Sequence, residues 1–403
     1  MNRRRVVITG MGGICALGGN SDAIWTGMKE GRDGSGPLAF DTRDLKVNVG
    51  FGIIDYPEDD GIEKRQSLTM SGISRMAVIA AREAMQRSGL KPGDFDPQRA
   101  GAVVGVGIFG ADAVDQSYVD VFLENKKRAH IFTVPRAMPS GPSGHVSIAV
   151  GLEGPVFGVT SACASGNHAF ISAVDQIRLG RADVMLAGGA EVALVYGPLK
   201  AWESLRVLAR SVCRPFSADR DGLVLGDGAA IAVLESYEHA KARGANILAE
   251  IIGVGLSADA SDIVNPTVDG PAAAMRNCLA DAGISAGQVD YINAHGTATQ
   301  TNDQNETRAI RQVFGAAADT VSVSSTKSMH GHCLGASSAI ELIACVKAIR
   351  DGVIPPTINY TTADPLCDLD VTPNTARDRK VDIAISNAFA FGGINAVIAV
   401  GRI

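Results

Sequence analysis

Short apolar runs alternate with segments of helical spacing along the whole chain. In the first half, clustered β-branched and aliphatic residues predict strands at 6–9, 102–108, 156–160 and 183–187. Apolar residues three and four apart predict helices at 74–88 and 165–179, each followed by a glycine. Glycine clusters at 10–13 and 188–189 follow two of the strands and predict tight turns there.

The second half repeats this order. Strands are predicted at 249–256, 290–294, 321–324, 381–386 and 396–400, and helices at 270–282 and 337–350. The segment DVMLAGG at 183–189 resembles DIAISNAFAFGG at 382–393, which indicates a weak internal duplication joined near 241–244. We therefore predict two similar halves, 1–244 and 245–403. The alternation predicts an α/β fold with a largely parallel sheet covered on both faces, and a site near the axis between the halves.

Composition and charge exclude several classes of protein. Glycine accounts for 46 of 403 residues, above the usual share of about 7%, but without the repeat of collagen. A net charge of −6 argues against a general nucleic-acid binder. Seven irregularly spaced cysteines predict neither a disulfide framework nor a zinc ribbon. We find no signal peptide and no apolar stretch near 18 residues, and therefore predict a cytoplasmic protein without a transmembrane segment.

Cys163 lies in the segment TSACASG, between a predicted strand and the helix at 165–179. The free amides at a helix N-terminus favour thiolate over thiol, and small neighbours leave the sulfur accessible. These properties suit a nucleophile. The alternative is a small buried core cysteine, which is the more common role of an isolated cysteine.

The segment NAHGTAT places His295 at the end of a predicted strand, followed by Thr297 and Thr299. A histidine there can donate a hydrogen bond to a carbonyl oxygen while the hydroxyls bind a polar arm. The alternative is a turn histidine with locally bonded threonines.

The segment SSTKSMHGH contains Lys327, His330 and His332. The spacing of the two histidines suggests a metal site, but acidic or cysteine ligands do not cluster beside them, so we predict none. One imidazole is expected to enter the site while the other faces elsewhere. Lys327 is either a surface charge or the buried partner of Glu341 in the following helix.

The segment NAFAFGGIN places two glycines after Phe391, in a turn whose amides can form an oxyanion hole. The glycine pairs near residues 10 and 105 lack the full dinucleotide fingerprint, which argues against an NAD-binding protein.

Taken in order, these motifs resemble the elongating β-ketoacyl-acyl-carrier-protein synthases of type II systems. The likeness runs from Val6 to the C-terminus and includes TSACASG, DVMLAGGAE, CRPFSADRDGLVLGDGAA, NAHGTAT, SSTKSMHGH and FGG-x-N. SADRDGLVLGDG, HGTATQTNDQ and NAFAFGGINAV look most like the rhizobial nodulation-type ketosynthases. The resemblance implies a thiolase-like fold with two similar α/β halves in a five-layered αβαβα arrangement, assembled as a homodimer.

The resemblance also implies a role for each matching residue. Cys163 matches the acyl-accepting nucleophile, and His295 and His332 match the paired catalytic histidines. Lys327 and Glu341 match a charged pair that supports the histidines. Thr297 and Thr299 match the hydroxyls that contact phosphopantetheine. Phe391 matches a gating residue whose amide joins that of Cys163 in the oxyanion hole. The implied reaction extends a fatty acyl chain by two carbons through decarboxylative condensation with malonyl-carrier protein. It needs no metal or redox cofactor.

The chain departs from the group's pattern at several positions, and these departures leave the length and unsaturation of the acyl substrate open. Ala390 replaces the glycine before the gating residue, and its Cβ is expected to restrict the backbone there. Ile394 stands where Thr or His is usual, and Val264 where Thr is common. Ile108 and Phe109 are assigned to substrate binding, with Phe109 shortening or bending the acyl pocket.

The implied partner is an acidic acyl carrier protein, so a local basic patch is expected. Its candidates are Lys64, Arg65, Lys126, Lys127, Arg128 and Arg206, with ordinary solvated charges as the alternative. Two rival functions remain: a degradative thiolase, which usually needs a second active-site cysteine near the C-terminus, and a non-elongating carrier-binding subunit of a polyketide-type system, which typically lacks the nucleophile.

Overall fold

The computed structural model describes residues 3–57, 60–91 and 93–403, so Met1 and Asn2 of the predicted first half lie outside the described residues. Its strands are β1 (Val6–Cys15), β2 (Gly36–Pro37), β3 (Val49–Gly50), β4 (Ala100–Gly105), β5 (Val156–Val159), β6 (Val184–Glu191), β7 (Gly228–Ser236), β8 (Ala249–Ala258), β9 (Tyr291–Asn293), β10 (Ser322–Ser324), β11 (Val353–Ile354), β12 (Arg377–Asp378), β13 (Ile383–Ala390) and β14 (Ile394–Gly401).

The helices are α1 (Ser21–Glu30), α2 (Lys64–Ser67), α3 (Gly72–Ser88), α4 (Ala111–Tyr118), α5 (Thr133–Ala137), α6 (Gly141–Val150), α7 (Ser165–Arg178), α8 (Tyr196–Ser204), α9 (Tyr237–Ala242), α10 (Asp269–Ala282), α11 (Gln300–Phe314), α12 (Lys327–His330) and α13 (Ser337–Asp351). A π turn (Val119–Leu123) follows α4, and short 3-10 turns include Ala162–Ala164 before α7 and Leu334–Ala336 before α13.

Ten strands form one sheet in the order β10-β9-β13-β14-β8-β1-β7-β6-β4-β5. The sheet consists of two five-stranded halves with the same order, joined where β1 pairs with β8. In the first half β5, β4 and β6 run parallel to one another, and β7 lies between β6 and β1 and is antiparallel to both. In the second half β10, β9 and β13 run parallel to one another, and β14 lies between β13 and β8 and is antiparallel to both. The similar segments of the sequence, β6 and β13, occupy equivalent places.

The expectation of a largely parallel sheet is therefore wrong. One reversed strand in each half makes both its pairings antiparallel, and the β1–β8 pairing is antiparallel as well. The sequence analysis missed β7, because its start of Gly and Ala lacks the β-branched run that indicates a strand.

Helices cover the sheet and separate its halves, which gives the five layers. α3 and α6 pack on the outer face of the first half, and α10 packs outside the second half with α11 against it. α7 and α13 contact strands of both halves and form the middle layer. Three apolar cores correspond to these interfaces, and the central one contains α13, whose residues are nearly all buried.

The turn predicted at 10–13 is wrong, because β1 continues through it to Cys15. Gly10 and Gly12 let α3 lie directly on the strand: an added Cβ would come within 2.2 Å of the Ala84 carbonyl oxygen and 2.1 Å of that of Ala80, respectively. Gly188 and Gly189 likewise lie inside β6 rather than in a turn.

The topology brings the candidate residues to one place. β9, β10 and β13 run parallel, so their carboxyl ends lie at the same edge of the sheet. His295 follows β9, Lys327 and His332 follow β10, and Phe391 follows β13. Cys163 follows β5 in the other half and precedes the central helix α7.

Candidate active site

Cys163 lies in a single 3-10 turn, between β5 and the start of α7. The turn begins with Ala162 at φ +47°, a conformation uncommon for a residue with a side chain. Ser165 braces it, since its hydroxyl accepts from the Ser161 amide at 2.9 Å and contacts the Ala162 carbonyl oxygen at 2.7 Å. The sulfur is thus held on a strained elbow, 7% exposed at the residue level.

His332 contacts the sulfur directly. Its Nε2 lies 3.1 Å from Cys163 Sγ, and its Nδ1 lies 2.9 Å from Ser337 Oγ at the start of α13. The ring of His295 stands almost perpendicular to that of His332, with centroids 5.5 Å apart. The structure therefore brings the three predicted residues together.

Glu306, on the buried face of α11, holds the backbone of the His295 turn. Its carboxylate accepts from the amides of His295 at 2.8 Å and Gly296 at 2.7 Å, and from Asn387 Nδ2 at 3.1 Å. Burial raises the pKa of Glu306 to about 7, although these three donors act in the opposite direction. The sequence analysis missed this residue; the signal was a second acid three positions after Asp303, on the same helical face.

Lys327 and Glu341 form a buried ion pair behind the histidines. Both side chains are essentially inaccessible to solvent, so the surface alternative for Lys327 is wrong. Burial raises the pKa of Glu341, and the Lys327 charge opposes that rise. The charge of Lys327 acts on both histidines and on the Cys163 sulfur.

The two imidazoles are neutral. Burial lowers the pKa of His295 well below its usual range, and the Lys327 charge lowers it further. The pKa of His332 is lowered in the same way, with His330 as an additional cause. Each neutral ring carries one N–H that it can donate to a substrate oxygen.

The thiol is also neutral, and here the structure corrects the sequence analysis. Burial raises the pKa of Cys163 to about 12. The Lys327 charge and the amide N–H groups of Cys163 and Phe391, both directed at the sulfur, offset only part of the rise. The helix N-terminus therefore does not yield a resting thiolate, because desolvation outweighs it. These two amides are the candidate donors of the oxyanion hole predicted from the sequence.

A cavity of about 290 Å³ opens above these groups. It is lined by Cys163, His295 and His332, by the hydroxyl pair Thr297 and Thr299, and by Phe391. Further lining residues include Trp202, Asn302, Val264 and Ala390. Thr297 Oγ1 and Thr299 Oγ1 are 3.0 Å apart. Ile108 and Phe109 are absent from the described residues that line it, and Ile108 packs against the central core instead.

Ala390 fits its position without strain. It is the last residue of β13 and pairs with Ile394, so its backbone is extended. The left-handed conformations of this hairpin fall on Gly392 and Gly393, at φ +84° and +63°. The expected restriction of the turn by the Cβ of Ala390 therefore does not arise in this state.

The candidate basic residues lie on different elements. Lys64 and Arg65 are exposed on the short helix α2, and Lys127 and Arg128 are exposed after the π turn. Lys126 is paired with Asp120 at 3.0 Å and Glu124 at 2.8 Å, so its charge is partly neutralised. Arg206 lines the mouth of the cavity.

His330 faces away from the cavity, as expected for one of the two histidines. It is buried and its Nε2 lies 3.0 Å from Thr326 Oγ1. Across residues 3–57, 60–91 and 93–403, no three His, Cys, Asp or Glu side chains are grouped as a metal site would require. Within the same ranges, every helix is too short or too polar to cross a membrane.

Comparison with known proteins identifies the family. Residues 3–240 match the N-terminal domain of β-ketoacyl synthases, and residues 248–361 match the C-terminal domain. The chain is 59% identical to "Nodulation protein E" of Rhizobium sp. (strain N33) over 98% of both proteins. It is 38% identical to "3-oxoacyl-[acyl-carrier-protein] synthase 2" of Staphylococcus aureus (strain N315), over 98% of this chain and 97% of that protein.

Solved structures agree. "The ishigamide ketosynthase/chain length factor" superposes with a TM-score of 0.96 at 36% identity over the full length of both chains. A β-ketoacyl synthase from Burkholderia phymatum STM815 superposes with a TM-score of 0.91 at 33% identity, over 99% of this chain and all of that one. The chain has the thiolase-like fold of these ketosynthases and belongs to the β-ketoacyl synthase family, as a condensing acyltransferase.

Proposed function

We propose that Cys163, His295 and His332 carry out the decarboxylative condensation that defines the family. The observation that carries this proposal is the 3.1 Å contact between Cys163 Sγ and His332 Nε2, beside the second imidazole of His295. The amides of Cys163 and Phe391 also act on the sulfur. A nucleophile, an oxyanion hole and a pair of N–H donors then share one cavity.

In the first half-reaction the Cys163 sulfur attacks the carbonyl carbon of an acyl thioester. The amides of Cys163 and Phe391 receive the negative charge on the carbonyl oxygen, an interaction worth a few kcal/mol per donor. The carrier sulfur leaves with the proton that the thiol gives up, and the acyl group remains on Cys163. Because the resting thiol is neutral, this proton must move during the attack.

In the second half-reaction a malonyl thioester loses CO₂ and becomes an enolate. His295 and His332 donate N–H bonds to the enolate oxygen, whose charge develops mainly in the transition state. The α-carbon then attacks the acyl carbon on Cys163, a new carbon–carbon bond forms, and the sulfur is released to regain a proton. Burial keeps the imidazoles neutral and therefore able to donate, and the charge of Lys327 acts in the same direction.

The substrates are carried on the phosphopantetheine arm of an acyl carrier protein. Thr297 and Thr299 line the cavity above the sulfur and offer hydroxyls to the amides of such an arm. Arg206 lines the cavity and is therefore the basic candidate best placed to meet an acidic carrier. One solved relative is described as a "type II PKS acyl-carrier protein in complex with its ketosynthase", which supports this partner. The chemistry requires no metal or redox cofactor.

The protein acts as a homodimer in this proposal. Strand β5 is the terminal strand of the sheet, and the neighbouring elements α4 to α6 expose large apolar side chains, including Phe122 (71%), Ile131 (82%) and Val134 (72%). Exposed apolar surface next to an open strand edge suits an interface with a second copy. The 59% sequence identity to a nodulation protein favours a specialised acyl chain as substrate. A cytoplasmic location is a further prediction.

The test is to incubate the purified protein with acyl-carrier and malonyl-carrier proteins and follow the enzyme by mass spectrometry. An acyl adduct on Cys163 is expected, and Cys163→Ala should lose both the adduct and the β-ketoacyl product. His295→Ala and His332→Ala should reduce malonyl decarboxylation by at least 10²-fold, more than they reduce acyl transfer. An adduct on another cysteine, or product from Cys163→Ala, would refute the assignment.

A further inference from the structure

The turn that follows β13 combines a freely rotating backbone with an anchored ring. Gly392 and Gly393 both have left-handed conformations that only glycine adopts readily. Phe391 precedes them, and its amide is directed at the Cys163 sulfur. Any movement of the Phe391 ring about this turn therefore also moves an oxyanion-hole donor.

The anchor of the ring is Trp202, near the end of α8. The two rings are stacked, with centroids 5.7 Å apart and planes inclined by 22°. In the part of the chain that the structure describes, the indole is the one aromatic partner of Phe391. Trp202 also packs against the central core. It belongs to the first half of the chain, whereas Phe391 belongs to the second.

Both rings line the cavity above Cys163. A volume of about 290 Å³ lies just below the range for pockets that hold drug-sized molecules. A carrier arm together with a long acyl chain therefore needs additional space. Phe391 is the lining side chain that is followed by two glycines in left-handed conformations, so its ring is the part of the cavity lining that can move to make this space.

We propose that Trp202 is a positioning residue whose stacked indole holds Phe391 in place and so determines which acyl chains Cys163 accepts. The proposal rests on the proposed role of Cys163 as the acylated residue. Short chains fit without disturbing the stack, while long chains must displace the Phe391 ring from Trp202. The stack therefore selects against long chains and keeps the Phe391 amide aligned when the cavity is empty.

Two substitutions separate stacking from volume. Trp202→Leu removes the aromatic face but retains an apolar side chain, and Trp202→Phe retains a ring that can stack. The measurement is the kcat/KM for acylation of Cys163, with kcat and KM resolved, for a short and a long acyl-carrier substrate. Trp202→Leu should raise the long-to-short ratio by roughly 3- to 10-fold, the range expected for one aromatic stack. Trp202→Phe should restore the wild-type ratio.

A spectroscopic measurement does not depend on those variants folding. The chain has two tryptophans, and Trp25 lies in α1, where its indole donates to Asp351 at 2.6 Å. In a Trp25→Phe protein, fluorescence reports Trp202 alone. Acylation with a long chain should shift its emission, whereas acylation with a short chain should leave it unchanged. Trp25→Phe is also the matched kinetic control and should retain the wild-type long-to-short ratio.

Several outcomes would overturn the proposal. One is a wild-type long-to-short ratio of kcat/KM in Trp202→Leu, and another is an equal change of this ratio in Trp202→Leu and Trp202→Phe. A third is constant Trp202 emission while mass spectrometry shows complete acylation by the long chain. Failure of the proposed function gives a different result, because the wild-type protein would then show no adduct on Cys163.

Discussion

At the residue scale, the sulfur of Cys163 depends on opposing electrostatic effects. Burial favours the uncharged thiol, while the Lys327 ammonium and two amides favour the thiolate. Burial has the larger effect, and the pKa rises to about 12. A resting thiol that ionises only as substrate arrives is consistent with the amides serving the carbonyl oxygen during the reaction.

This balance predicts an unusual pH dependence for chemical modification of Cys163. Only the thiolate is alkylated, so the rate with iodoacetamide should keep rising with pH and show no plateau near the ordinary cysteine value of about 8.5. The measurement is site-resolved alkylation by mass spectrometry, with Cys163→Ala identifying signal from other cysteines. A plateau at or below about pH 8.5 would contradict a raised pKa.

Part of the site was predictable from residues alone. Cys163 and His295 stand beside small residues just after predicted strands, His332 lies in the segment that follows a third, and the fold brings them together. Glu306 and Trp202 were not found. The spacing of Glu306 from Asp303 marks a shared helical face but not what that face holds, and an isolated aromatic has no local signature. Their roles arise only from contacts across the fold, with the His295 amide and with the Phe391 ring.

At the element scale, β1 and α3 show how a glycine can be misread. A glycine cluster after a short apolar run is typical of a turn, but Gly10 and Gly12 are here contact points between a strand and a helix. The missing information was the position of α3, which no pattern within β1 contains. Helices were easier to predict. In α7 and α13 the apolar spacing indicates the helix, and a glycine shortly after it marks the end.

The close contact between β1 and α3 predicts a large effect for Gly12→Ala. The new Cβ would meet the Ala80 carbonyl oxygen at 2.1 Å, and backbone on both sides limits relaxation. We expect a loss of about 3 kcal/mol in the free energy of unfolding, measured by denaturant titration. Gly287→Ala is the matched control, because nothing lies within 4 Å of the added Cβ. Similar stability of the two variants would contradict the packing argument.

At the scale of the whole molecule, one end of the sheet differs from the rest of the surface. The apolar side chains of the proposed interface lie on consecutive elements that contact one another, from α4 through α6 to β5. Strand β5 is only four residues long and is itself partly exposed. A short edge strand flanked by apolar side chains is exposed to pairing with other chains, and in the proposed homodimer a second copy would cover it symmetrically.

The proposed interface is testable by sedimentation. Phe122→Glu combined with Ile131→Glu should convert a dimer into a monomer, because two charges per subunit would be buried in the interface. Leu179→Glu is the control, since Leu179 is a comparably exposed residue (65%) at the end of α7, outside this set of elements. A monomeric wild-type protein, or a double variant that remains dimeric, would exclude this interface.

The position of β1 has a consequence for synthesis of the protein. Strand β1 leaves the ribosome long before the two strands with which it pairs, since Val6 lies opposite Ser236 on one side and Ile251 on the other. At roughly 5–20 residues per second, those partners follow after about 10–50 seconds. Throughout that interval a segment that is entirely buried in the folded protein lacks both of its partner strands. The nascent chain should therefore depend on chaperones until its first half is complete.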